Sequence, residues 1–104
     1  MNKPPVTYPD VNGILFRTEG PANAGGIAIS LTSGEFLDPN GDTLTYTFVS
    51  DDPRYTISVF PTYALATFPQ NPKPNIGDIT TITVTANDGK GGIASGKWVI
   101  KIIE

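Results

Sequence analysis

Four oxygen-bearing side chains in two short segments are the residues best suited to chemistry. Asp38, Asn40 and Asp42 lie in the run Asp38-Pro39-Asn40-Gly41-Asp42, and Asp88 lies in Asn87-Asp88-Gly89. Calcium takes roughly six to eight oxygen ligands from carboxylates, carbonyls and waters, and this set supplies three carboxylates plus amide and backbone oxygens. The Asp-x-Asn-x-Asp spacing places alternate side chains on one side of a tight loop. It is similar to the start of an EF-hand loop, but glycine stands at the fourth residue and no bidentate Glu follows at the required distance. It is not an EF-hand. The same residues also suit a metal-free turn, because Asp and Asn cap their own backbone and Gly41 and Gly89 supply positive φ.

Other chemistries have less to work with. The chain contains neither histidine nor cysteine, which removes the commonest general base, the commonest transition-metal ligand and any thiolate site. Asp51 and Asp52 are adjacent, so on a strand they face opposite ways and in a turn they cap. A glycosidase needs two carboxyl groups held across a cleft, and a small sandwich offers none, so no catalytic residues are expected. Sugar binding needs exposed aromatic rings. Tyr46, Phe48 and Trp98 fall on inward strand positions, which leaves Tyr8, Tyr55 and Tyr63 as the rings whose exposure the pattern does not decide. The row Thr81, Thr83 and Thr85 reads as the solvated face of a strand, where threonine has good β-propensity.

The elements that must position these residues are short strands. The chain has 104 residues, with 10 acidic and 7 basic side chains, 11 glycines and 10 prolines. One domain fits that length. The basic residues form no cluster, so nucleic acid is not an expected partner. No apolar run approaches the ~20 residues that span a bilayer, so membrane insertion is not expected. Ile27, Ile29 and Leu31 recur with period two on one face; Leu44, Tyr46 and Phe48 alternate with Thr45, Thr47 and Val49; Ile82, Val84 and Ala86 alternate with Thr81, Thr83 and Thr85; and Trp98, Ile100 and Ile102 share one face of the last strand. Val6 to Tyr8, Ile14 to Phe16, Tyr55 to Phe60 and Tyr63 to Phe68 are further strand candidates. Turn signals every 8–12 residues predict an all-β, immunoglobulin-like antiparallel sandwich of about seven strands. Residues 1–5, rich in proline, read as an interdomain linker and residues 6–104 as a single sandwich domain. In that topology the second-to-third and sixth-to-seventh strand loops meet where the N-terminus enters. Asp38, Asn40 and Asp42 are thereby expected to approach Asp88 and the Asn2 segment.

Two stretches together resemble a known family. Phe36-Leu37-Asp38-Pro39-Asn40-Gly41-Asp42-Thr43-Leu44-Thr45-Tyr46 is similar to the F-x-D-P-x-G-D-x-L-x-Y segment of bacterial cadherin-like domains, including the dystroglycan-type group. Ile82-Thr83-Val84-Thr85-Ala86-Asn87-Asp88-Gly89-Lys90-Gly91-Gly92 resembles their I-T-V-T-A-x-D-G-x-G-G ending. The opening Asn2-Lys3-Pro4-Pro5-Val6 looks like the junction between tandem copies. Between Pro53 and Pro74 the chain lacks the tryptophan-leucine pair and G-T-P turn that family members often carry. The resemblance implies a non-catalytic spacer or adhesion module, extracellular or at the cell surface, within a larger protein, and some relatives bind calcium. Its expected partners are neighbouring domains of the same parent chain, and a cell-surface protein or glycan. A carbohydrate-binding accessory module of a polysaccharide-active enzyme is the alternative.

Overall fold

Period-two alternation is cleanest from Ile79 onward, and the longest strands form there. In the computed structural model, which describes residues 3–8, 13–32 and 36–104, nine strands are present among the described residues. They are β1 (Val6–Thr7), β2 (Ile14–Pro21), β3 (Gly26–Ser30), β4 (Phe36–Leu37), β5 (Thr45–Ser50), β6 (Thr56–Val59), β7 (Tyr63–Thr67), β8 (Ile79–Asn87) and β9 (Ile93–Ile103). A 3-10 turn, Ala22–Ala24, joins β2 to β3 and closes on Gly25 in the left-handed region. There is no helix long and apolar enough to cross a membrane among the described residues.

The strands form a four-stranded sheet in the order β2-β9-β8-β5 and a three-stranded sheet in the order β3-β7-β6, while β1 and β4 pair separately. This is the expected immunoglobulin-like sandwich. One detail departs from a purely antiparallel arrangement: β2 runs parallel to β9, with a register shift between Ile14 and Phe16. Both strands leave the same end of the molecule, so they must run in the same direction when they lie side by side. The remaining pairings within the two larger sheets are antiparallel.

The core lies where the two sheets face each other. Ile82, Val84, Trp98, Ile100 and Ile102 are fully buried on one side, and Ala64 and Ala66 are fully buried on the other. Small residues on β7 thus sit opposite large ones on β8 and β9, which lets the layers approach to close packing. The Trp98 indole N–H would be costly to bury unpaired. It donates to Thr18 Oγ1 at 2.9 Å, and the same hydroxyl reaches the Val99 carbonyl at 3.4 Å. Phe48 meets the Trp98 ring edge-on at 6.3 Å. Tyr46 and Phe48 point inward as expected but stay half-buried, because β5 is the edge of its sheet.

The strand directions define two poles. One collects the β3–β5 connection, the β6–β7 tip and the β8–β9 loop; the other collects the β5–β6 and β7–β8 loops and the C-terminal end of β9. The molecule measures 49 × 27 × 21 Å, long in comparison with its width.

Tyr55 is a core residue, 6% exposed, with its ring tilted against Phe68 at 5.4 Å. Its hydroxyl is buried without a hydrogen-bond partner. A buried, unpaired hydroxyl is unfavourable by about 1–3 kcal/mol. Tyr55→Phe is therefore expected to leave the urea midpoint unchanged or to raise it, whereas a typical core change lowers it; equilibrium unfolding by tryptophan fluorescence reads the difference.

Candidate metal centre

The inward row of β8 consists of Thr80, Ile82, Val84 and Ala86, all buried, and the next residue in phase is Asp88. The alternation that builds the core therefore carries a carboxylate into the end of the sandwich, and Asp88 is only 5% exposed. Three local hydrogen bonds fix it. Its Oδ1 accepts from the backbone N–H of Lys90 at 2.8 Å and of Gly92 at 3.0 Å. Its own N–H donates to the Gly92 carbonyl at 3.1 Å. Gly89 and Gly91, with φ of 78° and 92°, give the loop the left-handed turns that this closure requires.

Asp38 arrives from the opposite direction. Phe36 on β4 turns inward against Tyr46 and Phe16, and Asp38 follows two residues later on the same phase. Its Oδ1 accepts the Asn40 N–H at 2.8 Å, and its carbonyl accepts the Gly41 N–H at 3.0 Å. This is the Asx-capped turn that the composition suggested, and Gly41 at φ 73° lets the chain reverse. Asp42 then lies beside the β8–β9 loop. One carboxylate oxygen from each of Asp38, Asp42 and Asp88 lies within 4.8 Å of the others. Residues half a chain apart in sequence are thus brought together.

Asp38 Oδ2 and Asp42 Oδ2 are shut off from solvent and have no hydrogen-bond partner. Buried carboxylate oxygens are stable only when paired or bound to a cation. Asn40 joins the turn through its backbone amide and is exposed. Asn2 lies outside the described residues. The neighbouring Pro4 does reach the loop, since a Cβ placed on Gly92 would fall 2.8 Å from Pro4 Cα. Pro5 is buried.

A basic group also takes part, one the sequence did not single out. Lys90 Nζ donates to Asp42 Oδ1 at 2.7 Å. The bond to Asp42 pulls the Lys90 pKa above its ordinary value, with smaller contributions from the charges of Asp88 and Asp38. Lys90 was visible only as a turn residue, because its partner is 48 positions away. The aromatic candidates divide as follows. Tyr8 and Tyr63 are exposed, at 56% and 42%, and Tyr55 is not. Phe60 stacks on Tyr63 at 4.6 Å and 15° across the β6–β7 tip and is itself 39% exposed. The threonine row of β8 lies on the outer face, with Thr83 exposed and Thr81 and Thr85 half-buried.

The fold is thus an immunoglobulin-like sandwich whose loops gather three carboxylates at one pole. This chain belongs to the bacterial Ig domain family, whose model matches residues 2–101. That match spans both acidic segments and all of the strands except the end of β9. Domains of this family are typically non-catalytic accessory modules and occur commonly in surface or secreted proteins. No curated protein and no solved structure matches the chain.

The crowding at Gly92 gives a direct check of the site's construction. A Cβ there would lie 2.5 Å from Asp88 Oδ2 as well as 2.8 Å from Pro4 Cα. Gly92→Ala must displace the carboxylate or the N-terminal segment, and overpacking of this kind costs about 1–3 kcal/mol. Chemical denaturation should show a loss in that range, and backbone amide shifts should move at Asp88 and Val6.

Proposed function

We propose that the chain is a non-catalytic spacer or adhesion module of a larger surface or secreted protein, stiffened by calcium where its N-terminal segment enters. The observation that carries this reading is the meeting of Asp38, Asp42 and Asp88 with two buried carboxylate oxygens left without partners. The donors are all oxygen, which suits a hard cation with flexible coordination. Asp38, Asp42 and Asp88 would hold the ion, with Asn40 and backbone carbonyls of the two loops as further oxygen donors. An ion there ties the β3–β5 connection to the β8–β9 loop beside Pro4, so the entering segment loses freedom relative to the sandwich. The elongated shape, with Pro4 at one pole and Glu104 at the other, suits a module that transmits length and direction. The cadherin-like motifs support the same reading, because both fall on the loops that form this pole.

Any ligand that binds the folded state alone raises its stability, by about 2.7 kcal/mol at a hundred times its Kd. Calorimetric melting in millimolar calcium should therefore shift upward relative to chelator. Asp38→Asn keeps the Oδ1 cap for the Asn40 N–H and removes one charged ligand, so it should abolish most of the shift while leaving the chelated melting point close to that of the parent. Identical melting curves with and without calcium would remove the metal from this reading.

A second reading, a carbohydrate-binding accessory module, rests on the stacked and exposed Phe60 and Tyr63 at the β6–β7 tip. Aromatic faces at a loop tip suit the apolar face of a sugar ring. Affinity gels cast with polysaccharides should retard the parent and release Tyr63→Ala. Equal mobility of the two on every polysaccharide would leave the spacer reading alone.

A further inference from the structure

Lys90 stands against two of the three carboxylates of the acidic pole. Its backbone N–H holds Asp88 Oδ1 at 2.8 Å, while its ammonium holds Asp42 Oδ1 at 2.7 Å. One residue therefore touches two of the three carboxylates, one by main chain and one by side chain. The ammonium satisfies a single oxygen, and Asp38 Oδ2 and Asp42 Oδ2 remain without partners. A lysine head is a compact point charge with three donors on a flexible stem. It neutralises part of the cluster but does not fill it. Three carboxylates and one ammonium leave a net charge of −2, which a divalent ion balances.

We propose that Lys90 is a tethered cation that closes the pole in the absence of a divalent ion and competes with that ion for Asp42, and so sets the affinity of the site. The inference rests on the calcium reading above and concerns its regulation. Competition needs a side chain that can leave at small cost. The Lys90 side chain is 60% exposed and lies between Gly89 and Gly91, so its ammonium can move into water without disturbing β8 or β9. The backbone bond from Lys90 to Asp88 does not depend on the side chain and survives the exchange. The pole thus has two closed forms, one held by lysine and one by a divalent ion, and both join the same two loops.

The test uses calcium itself as the probe, with isothermal titration and calorimetric melting of the whole chain. Lys90→Met keeps the stem and removes the charge, and Lys90→Gln serves as a second variant of different polarity. Both are expected to bind calcium roughly three- to tenfold more tightly than the parent, in line with the modest strength of an exposed ion pair. Both should also melt lower than the parent in chelator and gain more from calcium. Lys97→Met, an equal change of charge on the exposed outer face of β9, is the control and should bind within about twofold of the parent. If the parent binds calcium and the Lys90 variants bind equally or less tightly, the role of Lys90 is overturned and the calcium site stands. That role is overturned equally if Lys97→Met gains as much, since net charge then explains the effect. If neither the parent nor the variants bind, the calcium reading fails and this inference falls with it.

Discussion

The antiparallel pairing of β8 with β9 is the constraint on which the rest of the molecule depends. It runs without a register shift from Ile79 opposite Lys101 to Asn87 opposite Ile93, and it places Ile82 directly across from Trp98. Every other strand of the larger sheet attaches to one of these two: β5 to β8, β2 to β9. A slip of one residue would turn Thr81, Thr83 and Thr85 into the interior and put Ile82 and Val84 into water. The burial of five large apolar side chains on the two strands opposes that slip strongly. The Trp98 to Thr18 hydrogen bond adds a directional restraint, because the indole N–H finds its acceptor only when β2 lies in its observed register.

That register also decides where the acidic residues go. Asp88 is buried because it is the next inward position after Ala86 and because the β8–β9 loop closes on its carboxylate through Lys90 and Gly92. Asp38 owes its position to Phe36 in the same way, through an aromatic contact with Tyr46 that anchors β4 beside β5. The result is a group of like charges held together by apolar packing some distance away. Hydrophobic burial sets the geometry, and a cation is the physical means of relieving the repulsion. Lys90 supplies one from within the chain, and the divalent ion proposed above would supply another.

The opposite pole is held by turns that Asp51, Asp52 and Asp78 cap and by the ion pair of Arg54 with Asp52. Arg54 binds Asp52 through its guanidinium at 2.7 Å and through its backbone N–H at 3.0 Å, and the side-chain bond to Arg54 holds the Asp52 carboxyl below its ordinary pKa. The guanidinium lies in water, so solvent screens the pair and its contribution to stability is small. Asp51 Oδ1 accepts the Thr81 N–H at 3.1 Å and ends the β5–β8 ladder. Adjacent aspartates thus divide their work between a strand end and a turn. The two poles differ in kind: one concentrates charge beside the N-terminal segment, and the other disperses it.

How much of this was legible in the sequence varies with the range of the interaction. The sandwich, the inward rows of β3, β5, β8 and β9, and the glycine turns follow from alternation and local φ preferences, which act over a few residues. The convergence of Asp38, Asp42 and Asp88 was legible at one remove, because an immunoglobulin-like topology brings those loops together once the strands are identified. Four features were not legible. The parallel pairing of β2 with β9, the burial of Tyr55, the Phe60 and Tyr63 stack and the Lys90 to Asp42 bond depend on which surfaces meet, and periodicity carries no information about partners. The acidic pole shows both halves of that division. The sequence alone determined that its loops hold carboxylates on a tight turn. Only the tertiary structure decided that two of their oxygens would be buried without partners and that a lysine would stand against a third, because burial and charge pairing belong to the packed chain and not to any segment of it.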